Sequence, residues 1–117
     1  MDTAAFAREW VEAWNAHDLE RILSHYSEDV VLVSPIAVAR LGRASGRIEG
    51  KADLRAYFAK GLAARPDMRF TLRRVLDGVS SMVVDYVAAD GRDAAEWMEF
   101  DGEGRVCAVR AHYSGGR

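Results

Sequence analysis

The strongest constraint on this chain is the change of period between its two halves. From residue 68 onward it reads as strand after strand with no helical stretch between them. Met68, Phe70 and Leu72 alternate with Arg69, Thr71 and Arg73, the period of two that a half-buried strand requires. The phase breaks at Arg74-Val75-Leu76, as a β-bulge would break it, and bulges bend sheets. Residues 82–88 are nearly apolar throughout and read as a strand covered on both faces. Asp90-Gly91 marks a turn, 93–100 a further strand, Asp101-Gly102-Glu103-Gly104 a second turn and 105–113 the last strand.

The first half follows the helical period. Phe6, Trp10, Ala13, Trp14 and His17 fall on one helix face, with Asp2 or Thr3 as cap. After Asn15-Ala16-His17-Asp18, a second short helix places Leu19, Ile22, Leu23 and Tyr26 together, capped by Asp18. Val30-Val31-Leu32-Val33 reads as a strand that stops at Ser34-Pro35. Residues 36–41 are apolar enough for a strand, 42–46 form a loop and 47–49 a short strand. A third helix directs Leu54, Tyr57, Phe58 and Leu62 inward and ends at Pro66. Helices early and strands late in one chain of 117 residues imply a single α+β domain over residues 1–117.

Composition excludes several functions. A formal net charge of −2 gives no basic face for nucleic acid. No apolar run approaches the roughly 20 residues of a membrane span, and the N-terminus lacks a signal-peptide pattern. One cysteine, Cys107, makes no internal disulfide, so a cytoplasmic setting is expected, with Cys107 as a small buried hydrophobe. His17, His25 and His112 are too dispersed for a metal site, and no cofactor is expected. Gly50-Lys51 resembles the end of a phosphate loop, but Ser45 and Ala52 stand where that motif needs a glycine and a hydroxyl residue. Arg69, Arg73 and Arg74 read as a solvated strand face, and Asp85 as an outward carboxylate.

The last hairpin assigns faces. With a two-residue loop at Gly102-Glu103, Met98 would oppose Cys107 and Glu96 would oppose Val109. One face then holds Glu96, Met98, Phe100, Cys107, Val109, Ala111 and Tyr113, and the other holds Ala95, Trp97, Glu99, Val106, Ala108, Arg110 and His112. The first set is the more apolar and is expected to face the helices. A three-residue loop would shift the pairing by one and break this division.

Three segments carry a family resemblance. The run Ala13-Trp14-Asn15-Ala16-His17-Asp18-Leu19 within residues 10–33 resembles the opening of the NTF2-like superfamily, nearest its ketosteroid-isomerase and polyketide-cyclase (SnoaL-like) branch. Residues 50–58 resemble that family's third helix, and 100–106 its final hairpin turn. The resemblance implies a cone-shaped half-barrel: a curved mixed or antiparallel sheet on three helices, with a pocket between them and homodimerisation through the outer sheet face. It also implies that Glu96, Val109, Ala111 and Tyr113 line the pocket, with Trp10, Tyr26, Ser34 and Phe58 at or near it.

The isomerase branch uses a carboxylate base with a tyrosine and a protonated acid as oxyanion hole. Here Ser34 stands at the base position and Trp10 at the tyrosine position, so classical steroid isomerisation is not expected. Glu96 keeps the third position as an acid within an apolar strand, where burial would raise its pKa. Glu96, Tyr26 and Tyr113 are the catalytic candidates, each with a plain structural reading beside it. Trp10, Trp14, Ser34, Phe58, Met98, Val109 and Ala111 are the candidate ligand contacts. Residues 36–45 are a lid hinged at Gly42 and Gly46, an added strand or a dimer contact. The expected ligand is small and apolar or aromatic with an oxygen function, of polyketide, terpenoid or aromatic type. The expected chemistry is isomerisation, cyclisation or dehydration, against the alternatives of a non-catalytic binding module or a dimer whose cavity its own side chains fill.

Overall fold

The computed structural model describes residues 1–115. Helix α1 (Thr3–Asn15) is capped by Asp2, whose carboxylate accepts from the Ala5 N–H at 3.0 Å. Helix α2 (Leu19–Leu23) is capped in the same way by Asp18, which accepts from the Arg21 N–H at 3.1 Å. Tyr26 is not on this helix: it opens strand β1 (Tyr26–Val33), because the helix ends at Ser24 and the chain turns into the sheet.

The segment after β1 corrects the strand reading of 36–41. It is helix α3 (Pro35–Leu41). Ser34 ends the strand and caps the helix, its hydroxyl accepting from the Ile36 N–H at 3.1 Å, while Pro35 takes the first helical position, where no N–H is needed. Gly42 closes the helix in the left-handed region at φ 67°. Gly46 is no free hinge either: a Cβ there would sit 2.5 Å from the Ser34 carbonyl oxygen, so the loop is packed against the end of β1. Strand β2 (Arg47–Glu49) and helix α4 (Lys51–Ala64) follow, making four helices where three were expected.

Strands β3 (Thr71–Gly78), β4 (Ser81–Val87), β5 (Asp93–Phe100) and β6 (Val106–Tyr113) complete an open six-stranded mixed sheet in the order β2-β1-β6-β5-β4-β3. Among the described residues only β1 and β6 pair in parallel. The bulge expected in the first long strand lies between Leu72 and Arg74. Met68 and Phe70 precede the strand rather than belonging to it. Asn15 holds the Phe70 backbone through both its N–H and its carbonyl, at 2.7 and 3.0 Å, and the His17 ring bonds the Met68 carbonyl at 2.9 Å. Strand β4 alternates between buried and half-buried residues, so it has one core face rather than two.

The final hairpin differs from the two-residue loop in two ways that cancel. Asp101 and Arg105 close a three-residue loop, with Gly104 at φ 78°. A bulge at Cys107 then shifts the pairing by one more residue, so Phe100 opposes Val106 while Met98 opposes Val109 and Glu96 opposes Ala111. Two single shifts restore the phase, and Glu96, Met98, Val109, Ala111 and Tyr113 share the inner face. Only the tip is reassigned: Val106 is fully buried, and Cys107 is half-exposed with its thiol donating to the Glu99 carbonyl at 3.5 Å.

Candidate functional site

Three cross-strand rows build the inner face. Met82, Met98 and Val109 form the first, Val84, Glu96 and Ala111 the second, Tyr86, Ala94 and Tyr113 the third. Glu96 lies on the central strand of the three, with one tyrosine on each flanking strand, one row along and therefore in diagonal reach. The Tyr86 hydroxyl donates to Glu96 Oε2 at 2.5 Å. Among the described residues, Glu96 Oε1 takes part in no protein hydrogen bond.

Above the second and third rows lies a cavity of about 140 Å³. Its wall includes Glu96, Tyr86, Tyr113 and Ala111 from the sheet, Trp10 and Trp14 from α1, and Phe58 and Tyr57 from α4. Tyr26, Leu32 and Ser34 come from β1 and its end, and Met68 and Phe70 from the segment that Asn15 and His17 hold in place. Ile36 and Arg40 of α3, Gly61 of α4, Arg65 just beyond that helix, and residues 88–90 of the β4–β5 turn complete it. Aromatic rings form much of this wall: Trp14 meets Phe58 edge-on at 4.7 Å, and Trp10 stacks on Phe70 at 5.6 Å.

Of the candidates read from the sequence, Glu96, Tyr26, Tyr113, Trp10, Trp14, Ser34, Phe58 and Ala111 are on the cavity wall. Met98 and Val109 share the inner face but are buried in the first row, away from the wall. The sequence reading missed Tyr86, Tyr57, Phe70, Arg40 and Arg65 as wall residues. Tyr86 was within reach of the alternation, because it keeps phase with Met82 and Val84. Its pairing with β5 needed the register of the Asp90-Gly91 turn. Arg40 was hidden by the strand reading of α3.

The electrostatics follow from burial. Glu96 is 7% exposed, and desolvation pushes its carboxyl up to about 7 against the smaller opposing effect of the Tyr86 hydrogen bond. Burial, reinforced by the nearby Glu96 charge, also raises Tyr86, Tyr26 and Tyr113, so all three remain hydrogen-bond donors at neutral pH. Tyr57 is raised by burial as well, and the Ser34 hydroxyl lies beside both Tyr57 and Tyr113. Trp10 Nε1 donates to the Tyr26 hydroxyl at 2.9 Å. Trp14 Nε1 is near the same hydroxyl but has no hydrogen-bond partner, the only such buried side-chain atom among the described residues.

Asp85, the histidines and Cys107 lie off the cavity wall. Asp85 faces outward and pairs with Arg74 at 3.1 Å and Arg73 at 3.7 Å. His25 pairs with Glu9 at 3.2 Å, and His112 is exposed. Burial and nearby carboxylates push the Cys107 thiol up, away from a reactive thiolate. No helix among the described residues is long and apolar enough to cross a membrane.

No curated protein matches the chain at a significant level. Among solved structures, a SnoaL-like protein of unknown function from Burkholderia thailandensis is 43% identical, with a TM-score of 0.93 over 96% of this chain and 93% of that one. An NTF2-like protein of unknown function from Burkholderia pseudomallei is 20% identical, with a TM-score of 0.74 over 97% of this chain and 92% of that one. A proposed isomerase of the SnoaL-like family from Agrobacterium tumefaciens is also 20% identical, with a TM-score of 0.74 over 96% and 97% of the two chains. At that identity the last two show the fold alone. The SnoaL-like domain model matches residues 7–115, nearly the whole chain. Sequence and architecture together place the chain in the SnoaL-like domain family, on the NTF2-like fold.

Proposed function

We propose that this protein binds a small, mostly apolar ligand bearing an oxygen function, and that Glu96 exchanges a proton with it. The carrying observation is a carboxyl buried in an aromatic-walled cavity, pushed up to about 7, with one oxygen free of protein partners. A group titrating near neutral pH is matched to both halves of a proton transfer. The protonated Tyr113 beside it, whose hydroxyl is not committed to Glu96, supplies a donor for a carbonyl or enol oxygen. Cavity size narrows the ligand: about 140 Å³ is close to the ~150 Å³ of an apolar protein cavity that takes up benzene. Of the polyketide, terpenoid and aromatic classes, this supports a single ring or its equivalent in the cavity.

The reaction class is isomerisation, cyclisation or dehydration, each beginning with proton transfer next to a carbonyl. Hydrogen–deuterium exchange at the methyl group of acetophenone, followed by NMR in D₂O, tests this without knowledge of the natural substrate. The wild type is expected to accelerate exchange, with an inflection near the Glu96 pKa, and Glu96→Gln to abolish the acceleration. Exchange that survives Glu96→Gln would remove the proton-transfer role.

A second reading, a binding module without chemistry, has its own support. Ser34 stands where the related isomerases carry a base, and its oxygen is committed to the Ile36 N–H as a helix cap. Acetophenone that raises the melting temperature without any exchange would favour this reading.

A further inference from the structure

We propose that the ligand is a compact aromatic or similarly sized oxo-acid, held by its carbonyl oxygen at Trp14 and by its carboxylate at Arg40 and Arg65. This rests on the ligand-binding reading above and names the chemical class that the site selects.

The inner anchor is the Trp14 indole. Trp14 is 7% exposed, lies on the cavity wall, and its N–H, though near the Tyr26 hydroxyl, makes no hydrogen bond among the described residues. A buried donor without a partner is costly, and an indole nitrogen can only donate. What satisfies it must therefore bring an acceptor oxygen. Trp10, one turn earlier on the same helix, shows the contrast: its N–H is already bonded to Tyr26. The Tyr26 hydroxyl receives that bond and stays protonated, and it lies near the Trp14 indole, so it can donate to the same oxygen.

The outer anchor is at the mouth. Arg40 reaches from α3 across to α4, where its Nη1 lies 3.1 Å from the position a Cβ would take at Gly61. The absent side chain at Gly61 leaves room for the guanidinium at the cavity rim. Among the described residues no carboxylate lies within ion-pair distance of Arg40. Arg65, also on the wall, donates from Nη2 to the Ala89 carbonyl at 3.0 Å and forms no ion pair among the described residues. The rim carboxylate, Asp90, is held by Arg92 at 2.8 Å. The mouth thus presents two cations, the interior a pair of neutral donors, and the wall between them is aromatic. A guanidinium pairs with a carboxylate through two parallel bonds.

Three aromatic probes separate the anchors by calorimetric titration. 4-Acetylbenzoate carries both groups, 4-methylacetophenone lacks the carboxylate, and 4-isopropylbenzoate lacks the acceptor oxygen. 4-Acetylbenzoate is expected to bind about tenfold more tightly than either, the value of one good charge-assisted or buried hydrogen bond. Arg40→Met is expected to erase most of its advantage over 4-methylacetophenone while leaving the neutral probe's affinity in place. Trp14→Phe is expected to erase its advantage over 4-isopropylbenzoate. The carboxylate preference should also shrink as salt rises, because Arg40 is exposed. Equal affinities for the three probes, or preferences that neither variant changes, would overturn the inference and leave the pocket reading intact. Binding of none of them would overturn both.

Discussion

The two ends of the inner sheet face use the same three strands to opposite effect. In the first row Met82, Met98 and Val109 are all buried and fill the space beneath the helices. One and two rows further, alanine stands at 94 and 111, and beside Val84 the larger side chains are an acid and two tyrosines. The closed end is an ordinary core, stabilised by apolar burial. The open end replaces volume with polar groups and leaves about 140 Å³ empty. Strand alternation is the same along both. What separates core from site is which side chains occupy successive inward positions, and a two-residue step along β5 from Met98 to Glu96 crosses the boundary.

The comparison is broken most forcefully by emptying the closed end. Met98→Ala is expected to cost about 2 to 5 kcal/mol of unfolding free energy in denaturant titrations, since Met98 is fully buried and its truncation leaves a void in the core. A loss under about 1 kcal/mol would show that the first row is not close-packed.

The open end instead makes stability depend on pH. The Glu96 carboxyl titrates near 7 when folded and near its ordinary 4.5 when unfolded, so between those values the folded chain binds the extra proton. The resulting stability is fully present below about pH 4.5 and is lost as pH rises through about 7. By linkage it amounts to about 3 kcal/mol. Glu96→Gln should flatten this part of the stability–pH curve and leave the protein more stable than wild type at pH 8. A wild-type curve that is level between pH 4.5 and 7 would contradict the burial of the charge.

Within α1 the two cavity tryptophans sharpen the contrast. Trp10→Phe breaks a buried hydrogen bond, whereas Trp14→Phe removes a donor that has none. Both lose similar volume, so Trp10→Phe should cost about 1 kcal/mol more. Ala111→Leu is expected to have the smallest effect on stability, within about 1 kcal/mol, because it grows into empty space rather than into packed neighbours. It should nonetheless abolish binding of any ring-sized probe in a thermal-shift assay.

Much of this was legible in the residues. The alternation along 93–113 put Glu96, Ala111 and Tyr113 on one face even though the assumed loop was one residue short, because the bulge at Cys107 supplied the missing shift. That success depended on two offsets of the same size, and it failed at the tip, where Val106 and not Cys107 turns inward. Helix α3 escapes a reading of 36–41 by apolar content alone, in which Ser34-Pro35 marks only the end of a strand. A serine followed by proline also starts a helix, and Gly42 at the right distance ends one. With α3 read as a strand, Arg40 had no place at the mouth. Tyr86 needed the cross-strand register, which local periodicity does not contain, whereas helical periodicity already turns Tyr57 inward. The orphaned Trp14 N–H depends on where the Tyr26 hydroxyl comes to rest, a tertiary fact with no sequence signature.

The most direct test of the central claim is a pH titration of the Glu96 side-chain carboxyl by ¹³C NMR in the ligand-free protein. A midpoint near 7 is expected, accompanied by the loss of that titration in Glu96→Gln. A midpoint near 4.5 would mean a solvated carboxylate at position 96, and the proton-transfer site would not exist.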